Sequence, residues 1–260
     1  MHCYRLHSAT FLYIILFDSQ CISQDKYDIM VVPEDVKVMT INNRIYLMDI
    51  ACLSPAAVYD EWYRKMPEYR REKIDRVKPE RSKKLSLCAG ILLERALNNC
   101  GITEYEVAFS SHGKPYIADH ENIFFNISHS GEKVALAVSD REVGVDIQKL
   151  RHFDNSLINY VYNTAEQRLA KESGSEDAGM DMVYTRMWSM KEAFMKHSGL
   201  GIQMEPISIT LNIAAAPASA ACAGYDPGEL YLIEYKLQDY ALTVCTSYRT
   251  FAPDPETVTL

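Results

Sequence analysis

The sequence predicts an α+β fold made of two similar halves, each with helices followed by strands. Three observations predict it. A helix-rich region at residues 56–99 carries apolar residues every three or four positions, after a segment of strand-like alternation at 44–50. Short strand-like segments separated by turn residues come next. A second helical region and a second set of strands then repeat the same order.

The individual elements follow from the same patterns. Strands are predicted at 106–110, 123–127 and 134–139 in the first half, and at 143–147 at the start of the second half. The second half is predicted to hold helices at 156–173 and 180–198, with a polar turn at 174–177, and strands at 207–213, 231–236 and 240–247. We therefore divide the folded unit into an N-terminal half, 43–139, and a C-terminal half, 140–251. The stretch at 214–224, rich in Ala, Pro and Ser, predicts a surface loop, and 252–260 a flexible tail.

Residues 1–42 form an N-terminal extension whose status stays open. Translation starting at Met30 or Met39 would leave the preceding residues outside the native product, whereas the alternative is a further strand or arm. The apolar run at 11–17 is too short to span a bilayer, and no small-residue cleavage site follows it. Together with seven dispersed cysteines and no Cys-x-x-Cys pair, this predicts a cytoplasmic protein with reduced thiols and no membrane association.

Charge is distributed unevenly along the chain. The formal net charge of −8 argues against a dedicated nucleic-acid binder, which usually carries a basic excess. Residues 64–84 nevertheless hold ten Lys or Arg against four acids. Such a basic segment on an acidic body can steer an anionic small molecule or an acidic protein toward one face. The alternative interpretation is a solvated helical surface.

The segment Val-Gly-Val-Asp-Ile-Gln at 143–148 is the first candidate for chemistry. Strand periodicity places Gly144, Asp146 and Gln148 on one face and apolar residues on the other. A carboxylate and an amide oxygen side by side suit Mg²⁺, which prefers oxygen ligands. An edge strand with a polar solvent face is the competing interpretation.

The segment Trp-Ser-Met-Lys-Glu-Ala-Phe-Met-Lys at 188–196 is the second candidate. In a helix, Glu192 and Lys196 lie one turn apart, as in many surface ion pairs. Taken with the strand, Asp146 and Glu192 are predicted to converge on one Mg²⁺, with Lys191 and Lys196 as cationic groups beside it. His129 and Lys114, predicted in loops near the same sheet, are candidate anion contacts.

Three separated motifs resemble the signatures of the 4′-phosphopantetheinyl transferase superfamily, in its larger, Sfp-like type. They are Phe-Asn-Ile-Ser-His-Ser-Gly…Val-Gly-Val-Asp-Ile-Gln at 125–148, the segment at 188–196, and Ser-His-Gly-Lys-Pro-Tyr-Ile at 111–117. The resemblance spans about residues 44–248. It implies two pseudo-symmetric α/β halves with coenzyme A in the cleft between them. It also implies Mg²⁺-dependent transfer of the phosphopantetheine arm to a serine of an apo acyl or peptidyl carrier protein, releasing adenosine 3′,5′-bisphosphate.

The resemblance also assigns roles to residues. It implies Asp146 and Glu192 as metal ligands, with Gln148 where the family's common pattern has a further acid, and Glu192 as candidate base. It implies contacts to coenzyme A from the following residues: Arg70, Lys73, Lys84, Lys114, Ser128, His129, Lys191 and Lys196. A monomer serving fatty-acid, polyketide or nonribosomal-peptide carriers is implied as well. Two rival classes stay open, an enzyme that hydrolyses a nucleotide pyrophosphate and a member that binds without catalysis.

Overall fold

A computed structural model describes residues 3–8, 11–16, 30–31, 43–173 and 177–260. Two compact units, 1–40 and 41–260, are distinguished. The described strands of the first unit are β1 (Cys3–Ser8), β2 (Phe11–Leu16) and β3 (Met30–Val31), which pair antiparallel in that order. Met39 and most of the turn predicted at 174–177 lie outside the described residues. The alternatives for the origin of residues 1–42 stay predictions.

The N-terminal half of the second unit begins with a strand and three helices. Its elements are β4 (Arg44–Asp49), α1 (Ala56–Lys65), α2 (Glu68–Asp75), α3 (Glu80–Asn99), β5 (Val107–Phe109), β6 (Pro115–Ile117), β7 (Phe124–Ser130) and β8 (Lys133–Ser139). Pro55, Pro67 and Pro79 stand immediately before the three helices. Proline suits a helix start, because the N–H that it lacks has no intrahelical partner there.

The C-terminal half repeats the order with a longer sheet. Its elements are β9 (Val143–Lys149), α4 (Asn155–Val161), α5 (Thr164–Ser173), α6 (Asp177–Ser198), β10 (Ile209–Asn212), β11 (Ala218–Cys222), β12 (Tyr231–Leu237) and β13 (Tyr240–Thr246). A last strand, β14 (Glu256–Thr257), follows this half in the chain. The strand order is β10-β11-β12-β13-β9 in this sheet and β14-β4-β8-β7 in the sheet of the first half. The mixed helices and sheets confirm the predicted α+β class.

The two sheets pack face to face between helices. In β8, Val134 and Leu136 face α3, whereas Ala135 and Ala137 face the other sheet, as a period of two requires. Three apolar side chains of β9, at 143, 145 and 147, fill the core between the sheets. The opposite face of β9 packs on α6, so the polar face of this strand is buried and is not a solvent face.

Strands β7 and β9 lie at the edges of their sheets and are joined through side chains. Alternate residues of β7 reach across: Asn126 Oδ1 accepts from Val145 N at 2.9 Å, and Ser130 Oγ accepts from Lys149 N at 3.0 Å. Between them, Ser128 Oγ donates to Asp146 Oδ1 at 2.8 Å. We call this line of contacts the β7–β9 seam. It joins the two halves and brings Asp146 to their boundary.

Several segments differ from the expectations. The helix predicted at 156–173 is two helices, α4 and α5, separated by Tyr162 and Asn163. The predicted loop at 214–224 contains β11, which pairs with β10 and β12; its small Ala and Ser side chains gave no strand-like alternation. The predicted flexible tail at 252–260 contains β14, which pairs parallel with β4. Val258 is buried in the core and its N–H donates to Leu47 O at 2.8 Å, so this segment is fixed to the first sheet.

Candidate functional site

The candidate site lies where α6 crosses the β7–β9 seam. Asp146 on β9 is 3% exposed, and its Oδ1 accepts from Lys196 Nζ at 2.7 Å as well as from Ser128. Lys196 Nζ also donates to Ser128 Oγ at 2.7 Å. The second carboxylate oxygen, Asp146 Oδ2, is buried and has no hydrogen-bond partner among the described residues. A buried anion with one oxygen unpaired is costly, so this oxygen is available for a ligand.

Helix α6 approaches β9 closely because residue 144 is glycine. A Cβ at this position would collide with Ala193 O and with the backbone of His197. Ser189 Oγ, on the same side of α6, donates to Asp146 O at 3.1 Å. Glu192 and Lys196 lie on the helix between the contacts made by residues 189, 193 and 197. The close approach of α6 to β9 therefore fixes the distance of both side chains from the strand.

Glu192 is the second carboxylate of the site. Its side chain is half-buried one turn before Lys196. Loss of water raises the pKa of Glu192, the negative charge of Asp146 raises it further, and Lys196 opposes both effects. No described residue donates a hydrogen bond to this carboxylate. The two acids therefore repel each other in a partly dehydrated space.

The donor set fits a hard divalent cation. Two carboxylates, one with an unpaired buried oxygen, would be relieved of their repulsion by a positive ion, and Mg²⁺ prefers such oxygens while keeping several waters. Among the described residues, no group of three or more His, Cys, Asp or Glu is arranged to hold a metal. A cation here would therefore rest on Asp146 and Glu192 alone as acidic ligands. Gln148 is half-buried two residues beyond Asp146 on the same strand, opposite Ala241 of β13.

A cluster of positive charge surrounds His129. The prediction of a loop was wrong here: His129 lies within β7, and it is exposed. Neighbouring protein still removes water from around its ring, which lowers its pKa, and the charges of Lys196, Lys73 and Arg81 lower it further. Arg81 on α3 is an addition that motif reasoning missed, although the basic stretch at 64–84 contained it. Three cations from three helices thus act on one exposed surface of the seam.

Comparison with known proteins identifies the family of this chain. The model described as "4′-phosphopantetheinyl transferase superfamily" matches residues 142–245, and "4′-phosphopantetheinyl transferase, N-terminal" matches 56–141. The 4′-phosphopantetheinyl transferase AcpT of Salmonella typhimurium is 31% identical over 185 residues, which cover 70% of this chain and 85% of that protein. The chain belongs to the 4′-phosphopantetheinyl transferase superfamily.

A second relative indicates the type within the superfamily. The 4′-phosphopantetheinyl transferase Sfp of Bacillus subtilis is 27% identical over 199 residues, covering 74% of this chain and 85% of that protein. The predicted Sfp-like type and the predicted enzyme class are thereby confirmed. Asp146, Glu192 and Lys196 all fall within the range matched by the superfamily model. The two matched ranges meet immediately before β9, at the seam.

The expectation that Lys191 contacts coenzyme A disagrees with the structure, which buries this residue away from the candidate site. Its side chain is 0% exposed, and Nζ donates to Val161 O, Pro206 O and Ile209 O at 2.9–3.0 Å. Glu166 Oε2 lies 2.8 Å from the same ammonium. Helix periodicity explains the difference, since neighbours such as 191 and 192 point about 100° apart.

The remaining basic candidates differ in their surroundings. Arg70 on α2 is 6% exposed, lies against Gly90 of α3, and has its Nε unpaired among the described residues. Lys73, one turn later, is exposed, and loss of water together with the charge of Arg70 lowers its pKa. Lys84 is half-buried on α3. Lys73 is also one of the charges that lower the pKa of His129.

Proposed function

We propose that this transferase moves the 4′-phosphopantetheine arm of coenzyme A to a serine of an apo acyl or peptidyl carrier protein, with Mg²⁺, and releases adenosine 3′,5′-bisphosphate. The observation that carries the proposal is the pair Asp146 and Glu192 beside Lys196, with Asp146 Oδ2 buried and unpaired. An anionic pair next to a cationic cluster suits a metal-bridged pyrophosphate.

Asp146 and Glu192 would hold the metal, and Gln148 would contribute an amide oxygen or leave its place to water. Bound there, Mg²⁺ would neutralise the pyrophosphate and the charge that develops on the leaving group. Lys196 supplies a second, fixed cation on the same side. Ser128 holds Lys196 and Asp146 together, so its proposed role is positioning rather than direct contact with the nucleotide.

The cationic cluster is the proposed seat of the nucleotide phosphates. His129, Lys73 and Arg81 face one exposed region, and a phosphate placed there would gain charge-assisted hydrogen bonds. Arg70 and Lys84, on the neighbouring helices α2 and α3, extend the positive charge. Because coenzyme A carries a 3′-phosphate as well as a pyrophosphate, binding at two places along the seam would orient its reacting bond.

Glu192 is the proposed general base for the acceptor serine. A hydroxyl is a weak nucleophile until its proton is taken, and a carboxylate with a raised pKa is better suited to take it than an ordinary one. The serine oxygen would attack the phosphorus that carries the pantetheine oxygen, forming one P–O bond while the bond to the nucleotide phosphate breaks. Lys196 would balance the charge of the departing phosphate.

The basic segment at 64–84 supplies a reason for choosing an acidic carrier protein as acceptor. It runs from the end of α1 through α2 to the start of α3, and it contains Lys73 and Arg81, whose charges act on His129. Complementary charge speeds encounter more than it strengthens the complex. Monomeric state, cytoplasmic location and the pathway of the carrier stay predictions. No helix among the described residues is long and apolar enough to cross a membrane.

A mass measurement tests the proposal. The full chain is mixed with coenzyme A, Mg²⁺ and a panel of apo carrier proteins, and the carriers are weighed by mass spectrometry. We expect a carrier to gain one phosphopantetheine group, and its Ser→Ala variant to gain nothing. Asp146→Asn should abolish the gain. Cleavage of coenzyme A with no gain on any carrier would show a hydrolase instead, and intact coenzyme A throughout would overturn the proposal.

A further inference from the structure

Lys114 is held by protein groups on every N–H of its ammonium. Its Nζ donates to Glu142 Oε2 at 2.6 Å, to Val143 O at 3.3 Å and to His197 O at 3.1 Å. A lysine ammonium has three donors, and here each has an oxygen partner. The side chain is only 15% exposed. A phosphate could bind this ammonium only by displacing a carboxylate or a backbone carbonyl.

The three partners belong to segments that meet at the site. Glu142 immediately precedes β9, the strand of Asp146, and Val143 is its first residue, whereas His197 O lies in the last turn of α6, directly after Lys196. Lys114 itself stands at the end of the β5–β6 loop in the N-terminal half. A cation at a helix C-terminus is favourable, because the last carbonyls of a helix have no intrahelical partner. One side chain thus ties together the first half, β9 and α6.

The aliphatic stem of Lys114 is also fitted to the end of α6. Gly199 has a φ of +71°, and a Cβ there would lie 3.5 Å from Lys114 Cδ, so the stem passes over the turn that ends the helix. Burial lowers the pKa of His197 to about 4, and the positive charge of Lys114 contributes to this lowering. Contacts along the stem and at the ammonium both hold the same helical turn.

We propose that Lys114 is a positioning residue: it clamps the last turn of α6 to the start of β9 and so holds Lys196 at Asp146, instead of binding coenzyme A through its ammonium. This inference rests on the proposed function, since it assigns a role within the same site. The two possible roles of Lys114 predict opposite effects of changing Glu142, the exposed partner of the pair. If Lys114 binds coenzyme A, removing Glu142 would free its ammonium for the ligand. If Lys114 is a clamp, removing Glu142 would weaken the clamp.

The test compares Lys114→Met and Glu142→Gln in the full chain, with calorimetric coenzyme A binding and steady-state transfer as readouts. If Lys114 is a clamp, Lys114→Met lowers kcat about tenfold or more, because small misplacements of catalytic groups are costly, while Kd for coenzyme A stays within about twofold. Glu142→Gln should lower kcat in the same direction by about twofold or more. Glu172→Gln is the matched control, since Glu172 pairs with Arg168 at 2.7 Å on the surface of α5.

Hydrogen exchange supplies a readout that needs no activity. In the clamp, both variants speed amide exchange at residues 197–201 and at the start of β9, and Glu172→Gln does not. Weaker coenzyme A binding at unchanged kcat in Lys114→Met, or tighter binding in Glu142→Gln, would overturn the proposal. Should Lys114→Met fail to fold, Glu142→Gln decides alone. If the wild-type chain transfers nothing, the proposed function fails, and exchange at 197–201 still shows whether the clamp exists.

Discussion

Lys196 Nζ lies 2.7 Å from Asp146 Oδ1 and the same distance from Ser128 Oγ, so one helix side chain closes the polar centre of the seam. The Lys196 side chain is 26% exposed, whereas the Asp146 side chain is 5% exposed. Asp146 is thus a buried anion, and the Lys196 ammonium that neutralises it belongs to a partly exposed side chain. The metal-free protein should depend on this pair for its stability.

Lys196→Met should therefore destabilise the metal-free protein. It leaves Asp146 buried with Ser128 as its remaining partner. We expect a loss of about 2 kcal/mol in the free energy of unfolding. This loss is smaller than that for a fully buried ion pair, because the Lys196 side chain is partly exposed. Urea unfolding measures it. Asp146→Asn with Lys196→Met should cost less than the sum of the single changes. Strict additivity would show that the pair is not coupled.

Glu192→Gln should act in the opposite direction on stability. Water loss and the charge of Asp146 hold the pKa of Glu192 above its unfolded value, so ionised Glu192 costs stability at neutral pH. Without metal, the amide variant should melt about 2–4 °C higher, while transfer falls about 10²-fold or more. The cost of the charge disappears as the pH falls through the raised pKa. The variant's advantage at about pH 8 should therefore vanish near pH 4, and an advantage that persists in acid would contradict this cause.

As the pH falls, binding of Mg²⁺ should begin to weaken at a higher pH than it would if Glu192 had the pKa of an ordinary glutamate. Protons compete with the metal for Glu192, and its raised pKa moves this competition toward neutrality. Calorimetric titrations of Mg²⁺ from about pH 8 to pH 5 should show the affinity falling across the acid half of that range. In Glu192→Gln the affinity should be lower and nearly independent of pH. An unchanged slope in this variant would assign the titration to another group.

The placement of the candidate site residues follows from sequence where local geometry decides. A period of two placed Asp146 and Gln148 on one face of a strand, and a period of 3.6 placed Glu192 and Lys196 one turn apart. The surroundings of Lys191 could not be predicted in this way. Its partner Glu166 lies 25 residues upstream, and the three carbonyls come from the end of α4 and from residues 206–209. Contacts of that kind depend on tertiary packing.

The fold shows the same division between local and distant causes. The helix of the second motif and the strands around the seam follow from apolar periodicity in the chain. Strand β11 was missed, since a run of small residues has no amphipathic pattern, and its pairing with β10 and β12 selects the extended form. The docking of β14 beside β4 likewise needs a partner about 210 residues away.

Gln148→Glu should lower the Mg²⁺ concentration needed for half-maximal transfer. The new carboxylate would lie on the strand face of Asp146, where it adds negative charge beside the proposed metal. The same charge should destabilise the metal-free protein slightly, because three acids would then share the seam. Steady-state rates against Mg²⁺ measure the first effect. Gln203→Glu, at an exposed position, is the matched control. Equal Mg²⁺ requirements in wild type and Gln148→Glu would remove Gln148 from the proposed metal site.

Lys191 and Glu166 should control stability rather than affinity for coenzyme A. Glu166 also forms a capping box at the start of α5, exchanging hydrogen bonds of 3.0 Å with Asn163, so the ammonium of Lys191 ties α6 to a fixed helix end. Lys191→Met leaves Glu166 charged and buried, and we expect a loss of about 3–5 kcal/mol in the free energy of unfolding.

Adding Glu166→Gln to Lys191→Met removes the unpaired charge, so the double variant should be more stable than Lys191→Met alone. Urea unfolding gives the stabilities, and calorimetry on the fraction that stays folded gives the Kd for coenzyme A. That Kd should equal the wild-type value in both variants, because the ammonium is fully buried and turned away from the seam. A tenfold rise in Kd for the folded variants, about 1.4 kcal/mol in binding free energy, would return Lys191 to the coenzyme A site.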